Sequence, residues 1–364
     1  MSRMSRRFVP VCIALLAALA MGCSPKAEAP VEAPKKPAFK VAWSIYVGWM
    51  PWEYAGSSGI LKKWADKYGI EIELTQINDY VESINQYTAG KYDACVMTNM
   101  DMLTIPSAGG VDSTAVILGD YSNGNDGVVL KGAGKKLVDI KGQSVNLVEL
   151  SVSHYLLARG LASVGLKESD VKVVNTSDAD IVAAYATPDV TATVTWKPLL
   201  SEVVASQGSS LVFDSSKTPG EILDLMVVNT KVLKEHPELG KALVGAWYET
   251  MAVMQAKDDA AAAALTSMAK ASGTDLAGFN EQLATTNMYW QATDAVAAIT
   301  SPDLLAKMDL VRSFSFEKGL LGAGAKTVDA VGIEFPGGKM LGNPQAVTMR
   351  FDASYMQLAA EGKL

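Results

Sequence analysis

Cysteine, histidine and arginine are all scarce in this sequence. Three cysteines and two histidines in 364 residues leave little from which to build a disulfide framework or a Cys/His metal site, both of which need several such residues at short spacing. His154 and His236 stand far apart, so no metal is expected. Beyond the first ten residues, arginine occurs only as Arg159, Arg312 and Arg350, a thin supply of the guanidinium forks that bind oxyanions. Basic residues number 32 against 39 acidic ones, a net −7, and a chain so acidic is a poor partner for nucleic acid. Neither a Gly-x-Ser-x-Gly elbow nor a Walker-type phosphate loop is present. These absences argue against an enzyme and against a cofactor.

The N-terminus carries a clear export signature. Met1 to Arg7 is cationic, Phe8 to Met21 is an uncharged apolar run, and small residues lead to Gly22-Cys23, the order of a secretory leader. The run is too short to cross a bilayer, which takes about 20 apolar residues. Leu19-Ala20-Met21-Gly22-Cys23 resembles a bacterial lipobox, although its Leu stands one place further upstream than the commonest pattern. The resemblance implies a leader over 1–22 and a lipid on Cys23. Loss of the leader removes Arg3, Arg6 and Arg7 and takes the chain to −10. Cys95 is then the one thiol left for the folded part, and the fold must stand on its core. Residues 23–38 are mostly Pro, Ala, Glu and Lys, which suits a solvated tether between a membrane surface and a body that begins near Phe39.

With 49% hydrophobic residues, the remaining chain can bury a large core and exceeds the usual size of one domain, so two lobes are expected. Short β-rich runs at residues 40–46, 71–77, 92–98 and 113–118 alternate with helical stretches at 56–68 and 80–89. A second series of strands is expected at 127–130, 143–148, 171–175, 191–195 and 210–213, with a helix over 151–164. A return strand at 224–229 precedes helical segments at 231–256, 258–271 and 276–286. This is an α/β chain with mixed, mostly parallel sheets, crossing between lobes twice, near 127–132 and 217–226. One lobe takes 39–127 plus 226–364 and the other 128–225.

The sequence resembles solute-binding proteins of the nitrate/sulfonate/taurine class, which are related to thiamine-pyrimidine-precursor binders. The likeness rests on Trp43-Ser44-Ile45-Tyr46, Tyr87-Thr88-Ala89-Gly90-Lys91-Tyr92-Asp93-Ala94, Ser122-Asn123-Gly124-Asn125-Asp126, Lys141-Gly142-Gln143, Thr195-Trp196-Lys197-Pro198 and Asp224-Leu225-Met226-Val227-Val228-Asn229, in that order. It implies the two-lobed, type II periplasmic-binding-protein fold and an extracytoplasmic, lipid-anchored, monomeric protein. Such a protein hands a small molecule to an ABC permease and ATPase complex and touches the membrane only through its anchor. More narrowly, the aromatic cluster from Tyr46 to Trp52, with Asn78-Asp79-Tyr80 and Thr98-Asn99-Met100-Asp101, looks like the subgroup associated with urea-carboxylase or guanidine-utilisation systems. Pyrimidine-precursor synthases share the fold and supply an enzyme alternative, but the Cys-rich motif they use is missing. A sensing lipoprotein without a transport role is the other alternative.

Ligands of open α/β sheets settle beyond the carboxyl ends of strands. The residues in such places here are Tyr46, Trp49 and Trp52, then Asp79 and Tyr80, then Asn99 and Asp101, and in the second lobe Glu149, Ser151 and Trp196. Carboxylates facing aromatic rings would repel an oxyanion and suit a planar cation rich in N–H donors, since a carboxylate accepts paired N–H bonds and a ring face attracts positive charge. Guanidinium is the leading ligand and urea the next, with Asn78, Asn99, Ser151 or Lys197 available to donate to a carbonyl. Duller roles compete. Asp79 and Ser151 stand where helix N-caps belong, Glu149 could lie on the surface, and Trp49 and Trp52 could be core. Asp224 could end a turn, and 123–126 reads as a crossing loop.

Overall fold

The computed structural model describes residues 36–364. The leader, the lipid on Cys23 and the tether expected from the sequence fall on residues 1–35, outside the described residues. The chain first lays down β1 (Ala38–Trp43), β2 (Glu71–Gln76), β3 (Ala94–Thr98) and β4 (Ser113–Ser122) in one sheet. It then builds a second sheet from β5 (Asp126–Lys131), β6 (Ser144–Leu147), β7 (Lys172–Asn175), β8 (Ala192–Trp196) and β9 (Ser209–Asp214). It returns to the first with β10 (Leu223–Asn229), β11 (Thr286–Met288), β12 (Gly332–Phe335), β13 (Lys339–Leu341) and β14 (Val347–Phe351). Each run read as a strand from sequence is one; the last four strands had not been anticipated, because they are short and sit among helices.

Both sheets are mixed. In the first, the order is β13-β12-β14-β4-β10-β3-β1-β2 with β11 beside β4. The neighbours β1–β2 and β1–β3 are parallel, while β10 runs antiparallel between β3 and β4 because it re-enters from the other sheet. The second sheet repeats the logic: β6 pairs in parallel with β7 and β8, and β5 runs antiparallel to β8 and β9. The chain passes between sheets over residues 123–125 and 215–222. The first passage comes earlier than the expected 127–132, since the apolar Gly-Val-Val-Leu there is β5 itself and is buried.

Helices cover the sheets. The expected helix over 56–68 is two, α1 (Met50–Ser57) and α2 (Ile60–Lys67), broken where Gly59 takes φ +84°, a conformation that favours glycine. Then follow α3 (Tyr80–Thr88), the single turn α4 (Asn99–Met102), α5 (Val152–Ser163) and α6 (Asp178–Ala186). The long helix expected over 231–256 is interrupted by Pro237, which begins a new helix, Pro237–Gln255, because proline suits a first turn and cannot continue the previous one. Among the described residues, no helix is long and apolar enough to cross a membrane.

β3 is buried along its whole length and β4 almost so, as strands covered on both faces must be, and such strands read as continuous apolar runs. The polar exceptions therefore stand out. Thr98, Asp120 and Asp224 are all buried, and Asp224 lies in register with Thr98 on one side and with Asp120 on the other. All three fall at the same end of the sheet, where β3 and β4 finish and β10 begins.

Candidate functional site

That end of the first sheet meets the second lobe across a small cavity. Its lining is Tyr46, Trp49, Tyr80, Thr98, Asp126, Val152, Trp196, Ile222 and Asp224. The first lobe contributes the loop after β1, the start of α3, the end of β3 and the start of β10. The second lobe contributes the start of β5, the start of α5 and the end of β8. Asp126 and Trp196 are themselves register partners on β5 and β8. The cavity measures about 20 Å³, against the ~10–15 Å³ that a single water needs.

Four aromatic rings form a continuous wall. Tyr46 meets Trp49 edge-on at 5.1 Å, Trp49 lies tilted against Tyr80 at 5.5 Å, and Tyr80 meets Trp196 edge-on at 5.9 Å. The last contact joins the two lobes. Further links between them are the Tyr80 amide donating to Asp178 at 3.4 Å, Lys197 Nζ donating to Thr285 Oγ1 at 3.0 Å, and the ion pair of Glu168 with Lys318. The lobes are closed on the cavity.

Carboxyl groups crowd around these rings. Asp101, Asp120, Asp126 and Asp224 are each no more than 3% exposed. The Tyr80 hydroxyl donates to Asp101 Oδ2 at 2.6 Å and Thr98 Oγ1 donates to the same oxygen at 2.8 Å, so Asp101 holds two cavity residues in place from behind. The Tyr46 hydroxyl donates to Asp120 Oδ1 at 3.2 Å and accepts from Asn125 Nδ2 at 3.3 Å. Ser122 Oγ donates to Asp126, whose own amide donates back to that oxygen at 3.2 Å. Asp120 Oδ2 is buried with no donor; it lies so near the backbone of Gly48 that a Cβ there would be 2.3 Å from it.

Burial pushes all of these carboxyls up, because a charged group loses its hydration. Asp101 and Asp126 rise to about 6 and Asp120 to about 7, while Asp224 rises well above its usual range, driven next by the charge of Asp120. Among the described residues, none of the four is in an ion pair. The arginines of the described residues are engaged elsewhere: Arg159 with Glu221, Arg312 with Asp309 and Asp329, Arg350 with Asp112 and Glu334. Like charges facing each other on adjacent strands ordinarily destabilise a sheet, and burying charge without a partner costs several kcal/mol. Among the described residues, no ion pair is present to neutralise these carboxyls when they ionise.

One consequence concerns stability. Folded-state values raised above the ordinary ~3.9 of aspartate mean that the folded chain holds these protons more tightly than the unfolded one. Their contribution is complete at low pH and is lost as pH rises through about 6 for Asp101 and Asp126 and about 7 for Asp120. Without ligand, the melting temperature is expected to fall between about pH 4 and pH 7, and Asp120→Asn to flatten that fall. Calorimetric scans across this range check it.

Of the residues picked out from sequence, the structure brings Tyr46, Trp49, Tyr80 and Trp196 together at the cavity, with Asp101 immediately behind. It does not bring the others there. Asp79 caps α3 by accepting from the Glu82 amide at 2.8 Å, and Ser151 caps α5 by accepting from the Ser153 amide at 3.2 Å. Glu149 is exposed on the surface. Asn99 is buried and fixes the second passage between sheets, donating to the Glu221 carbonyl at 3.1 Å and accepting from the Leu223 amide at 3.0 Å. Trp52 packs on Trp247 in the core at 5.3 Å. Asp126 and Asp224, which the sequence offers as a crossing loop and a turn end, line the cavity, and Asp120, which the sequence analysis does not single out, lies beneath it. For Asp224 the sequence carries a signal, a lone carboxylate inside the apolar run Leu223-Asp224-Leu225.

Comparison with known proteins adds relatives. The profile of the NMT1-like family matches residues 33–269. The taurine-binding periplasmic protein of Escherichia coli strain K12 is 26% identical over 144 residues, 38% of this chain and 44% of that protein. The chain thus spans about half the length of the curated relatives it matches. Among solved structures, the alkanesulfonate-binding protein SsuA from Xanthomonas axonopodis pv. citri, bound to MOPS, matches with a TM-score of 0.66 at 16% identity, over 82% of this chain and 99% of that one. The periplasmic nitrate-binding protein NrtA from Synechocystis PCC 6803 matches with a TM-score of 0.61 at 12% identity, over 91% and 90%. At such identities the likeness is one of fold, and the fold is the two-lobed periplasmic-binding-protein architecture expected from the sequence.

Proposed function

We propose, from the premise that the chain belongs to the NMT1-like family, that it is an extracytoplasmic solute-binding lipoprotein which captures a small, nitrogen-rich cation and delivers it to an ABC importer. Guanidinium is the favoured solute and urea the next. Delivery, the periplasmic setting and the absence of catalysis are carried over from the binding proteins it is similar to; the lipid anchor rests on the lipobox-like Cys23 alone.

The observation that carries the reading of the solute is the unneutralised carboxyl cluster against an aromatic wall. Asp126 and Asp224 line the cavity with Asp120 just beneath. A flat cation could lie against the rings of Trp49, Tyr80 and Trp196 and donate N–H bonds to the carboxylates, gaining about 0.5–2 kcal/mol from each ring face it covers and the stronger share from charge-assisted hydrogen bonds. Nitrate or a sulfonate would find negative groups there instead, with every arginine among the described residues paired elsewhere. Lobe closure follows the same logic: Asp224 comes from the first lobe and Asp126 and Trp196 from the second, so a solute that touches all three favours the closed form.

One observation favours urea. The indole Nε1 of Trp49 is buried without an acceptor, and the carbonyl of urea would satisfy it where guanidinium offers none. Tryptophan fluorescence of the purified protein titrated with guanidinium, urea, nitrate and taurine separates these readings. Saturable change with guanidinium at the lowest concentration is expected; saturation by nitrate or taurine alone would sink the proposal.

A further inference from the structure

The carboxyls of Asp120 and Asp224 do more than contribute negative charge. They stand directly opposite each other on the antiparallel strands β4 and β10, with exposures of 0% and 3%, so both side chains leave the same face of the sheet with Cβ atoms about 4.5–5.5 Å apart, within reach of a hydrogen bond between the two carboxyls. Two carboxyl groups can share such a bond only when one of them carries a proton, because both are otherwise acceptors. We propose that this pair is the charge selector of the site: the empty protein keeps one proton between Asp120 and Asp224, and an incoming cation takes that proton's place.

This rests on the capture reading above and names how that site tells a cation from its neutral twin. In the exchange, a carboxyl O–H bond breaks, its proton passes to a buffer base in solvent, and the second negative charge so created is met by the charge of the solute. Urea brings no charge, so the proton stays and the pair remains a singly charged hydrogen-bonded unit. Discrimination then follows from charge even though the two solutes have nearly the same shape.

The surroundings fit an exchange confined to this pair. From the loop after β1, the Tyr46 hydroxyl donates to Asp120, and Gly48 leaves room beside its free Oδ2. Beside β4, β11 presents Met288 opposite Asp120, with Tyr289 next in the chain. On the far side of β10, β3 presents Thr98 opposite Asp224. Asp126 on β5 adds repulsion to both members of the pair, and Asp101 on α4, with Tyr80 on α3, completes the charged and titratable groups nearby. Among the described residues, no lysine, arginine or histidine forms an ion pair with Asp120 or Asp224, so no resident cation substitutes for the proton.

Calorimetric titration of the purified protein with guanidinium chloride near pH 7, in phosphate, HEPES and Tris, reads the exchange directly. The observed enthalpy should vary with the buffer's ionisation enthalpy by a slope of about one proton released per guanidinium bound, and affinity should rise about tenfold per pH unit while the empty pair keeps its proton. Urea, if it binds, should show a slope of about zero. Guanidinium binding with no dependence on buffer or pH overturns the charge selector and leaves the capture reading standing. Heat from nitrate or taurine and none from guanidinium overturns the capture reading itself.

Discussion

Asp224→Asn is expected to weaken capture of guanidinium on the order of 100-fold, since truncating one member of a buried, hydrogen-bonded charge arrangement costs about 2–5 kcal/mol. The same substitution should raise the melting temperature of the empty protein, because it removes one of two buried acidic groups forced together on neighbouring strands. The opposed signs are the informative part. A residue that only packs the sheet would lose stability and affinity together, whereas a group held for its ligand trades one against the other. Calorimetry for affinity and a thermal scan for stability supply both numbers, and an unchanged affinity with normal folding would remove Asp224 from the site.

Gly48→Ala should damage stability and binding at once. A methyl group there would stand 2.3 Å from Asp120 Oδ2 and 2.6 Å from Tyr46 Cε1, so either the carboxyl or the ring must move. Overpacking of this kind costs about 1–3 kcal/mol, and displacing the Tyr46 hydroxyl from Asp120 should lower affinity by about tenfold or more. Gly324→Ala is the matched control, since a Cβ at that position meets nothing within 4 Å. Its melting temperature and affinity should both match the parent protein, and equal losses in the two variants would mean that the Gly48 contact is not the cause.

Much of the fold could be read from the sequence because its strands are short apolar runs set off by glycine and polar turns, and ten of them were placed that way. The helix breaks at Gly59 and Pro237 had visible causes that the broader periodicity concealed. The aromatic half of the site was also legible: Tyr46, Trp49, Tyr80 and Trp196 follow strand ends, where α/β sheets keep their ligands. The acidic half was not. Asp79 and Ser151 occupy strand ends too, but each spends its oxygen on a helix amide. The carboxyls that do face the cavity belong to strands. β4 runs on to Ser122, past the point where its apolar run ends at Leu118, and carries Asp120 into the sheet. Asp224 is brought to the same place because β10 enters antiparallel, so that its beginning lies beside the ends of β3 and β4. Strand direction is a tertiary property, and no local pattern announces it.

Capture of a cation requires that the enclosed, carboxyl-lined space take positive charge. The most direct test is a pair of calorimetric titrations of the purified protein at about pH 8, above the values of about 6 for Asp101 and Asp126 and about 7 for Asp120, one with guanidinium chloride and one with sodium nitrate. Saturable one-to-one heat from the guanidinium arm and none from the nitrate arm is the predicted result. Tight nitrate binding beside an inert guanidinium arm would contradict it outright.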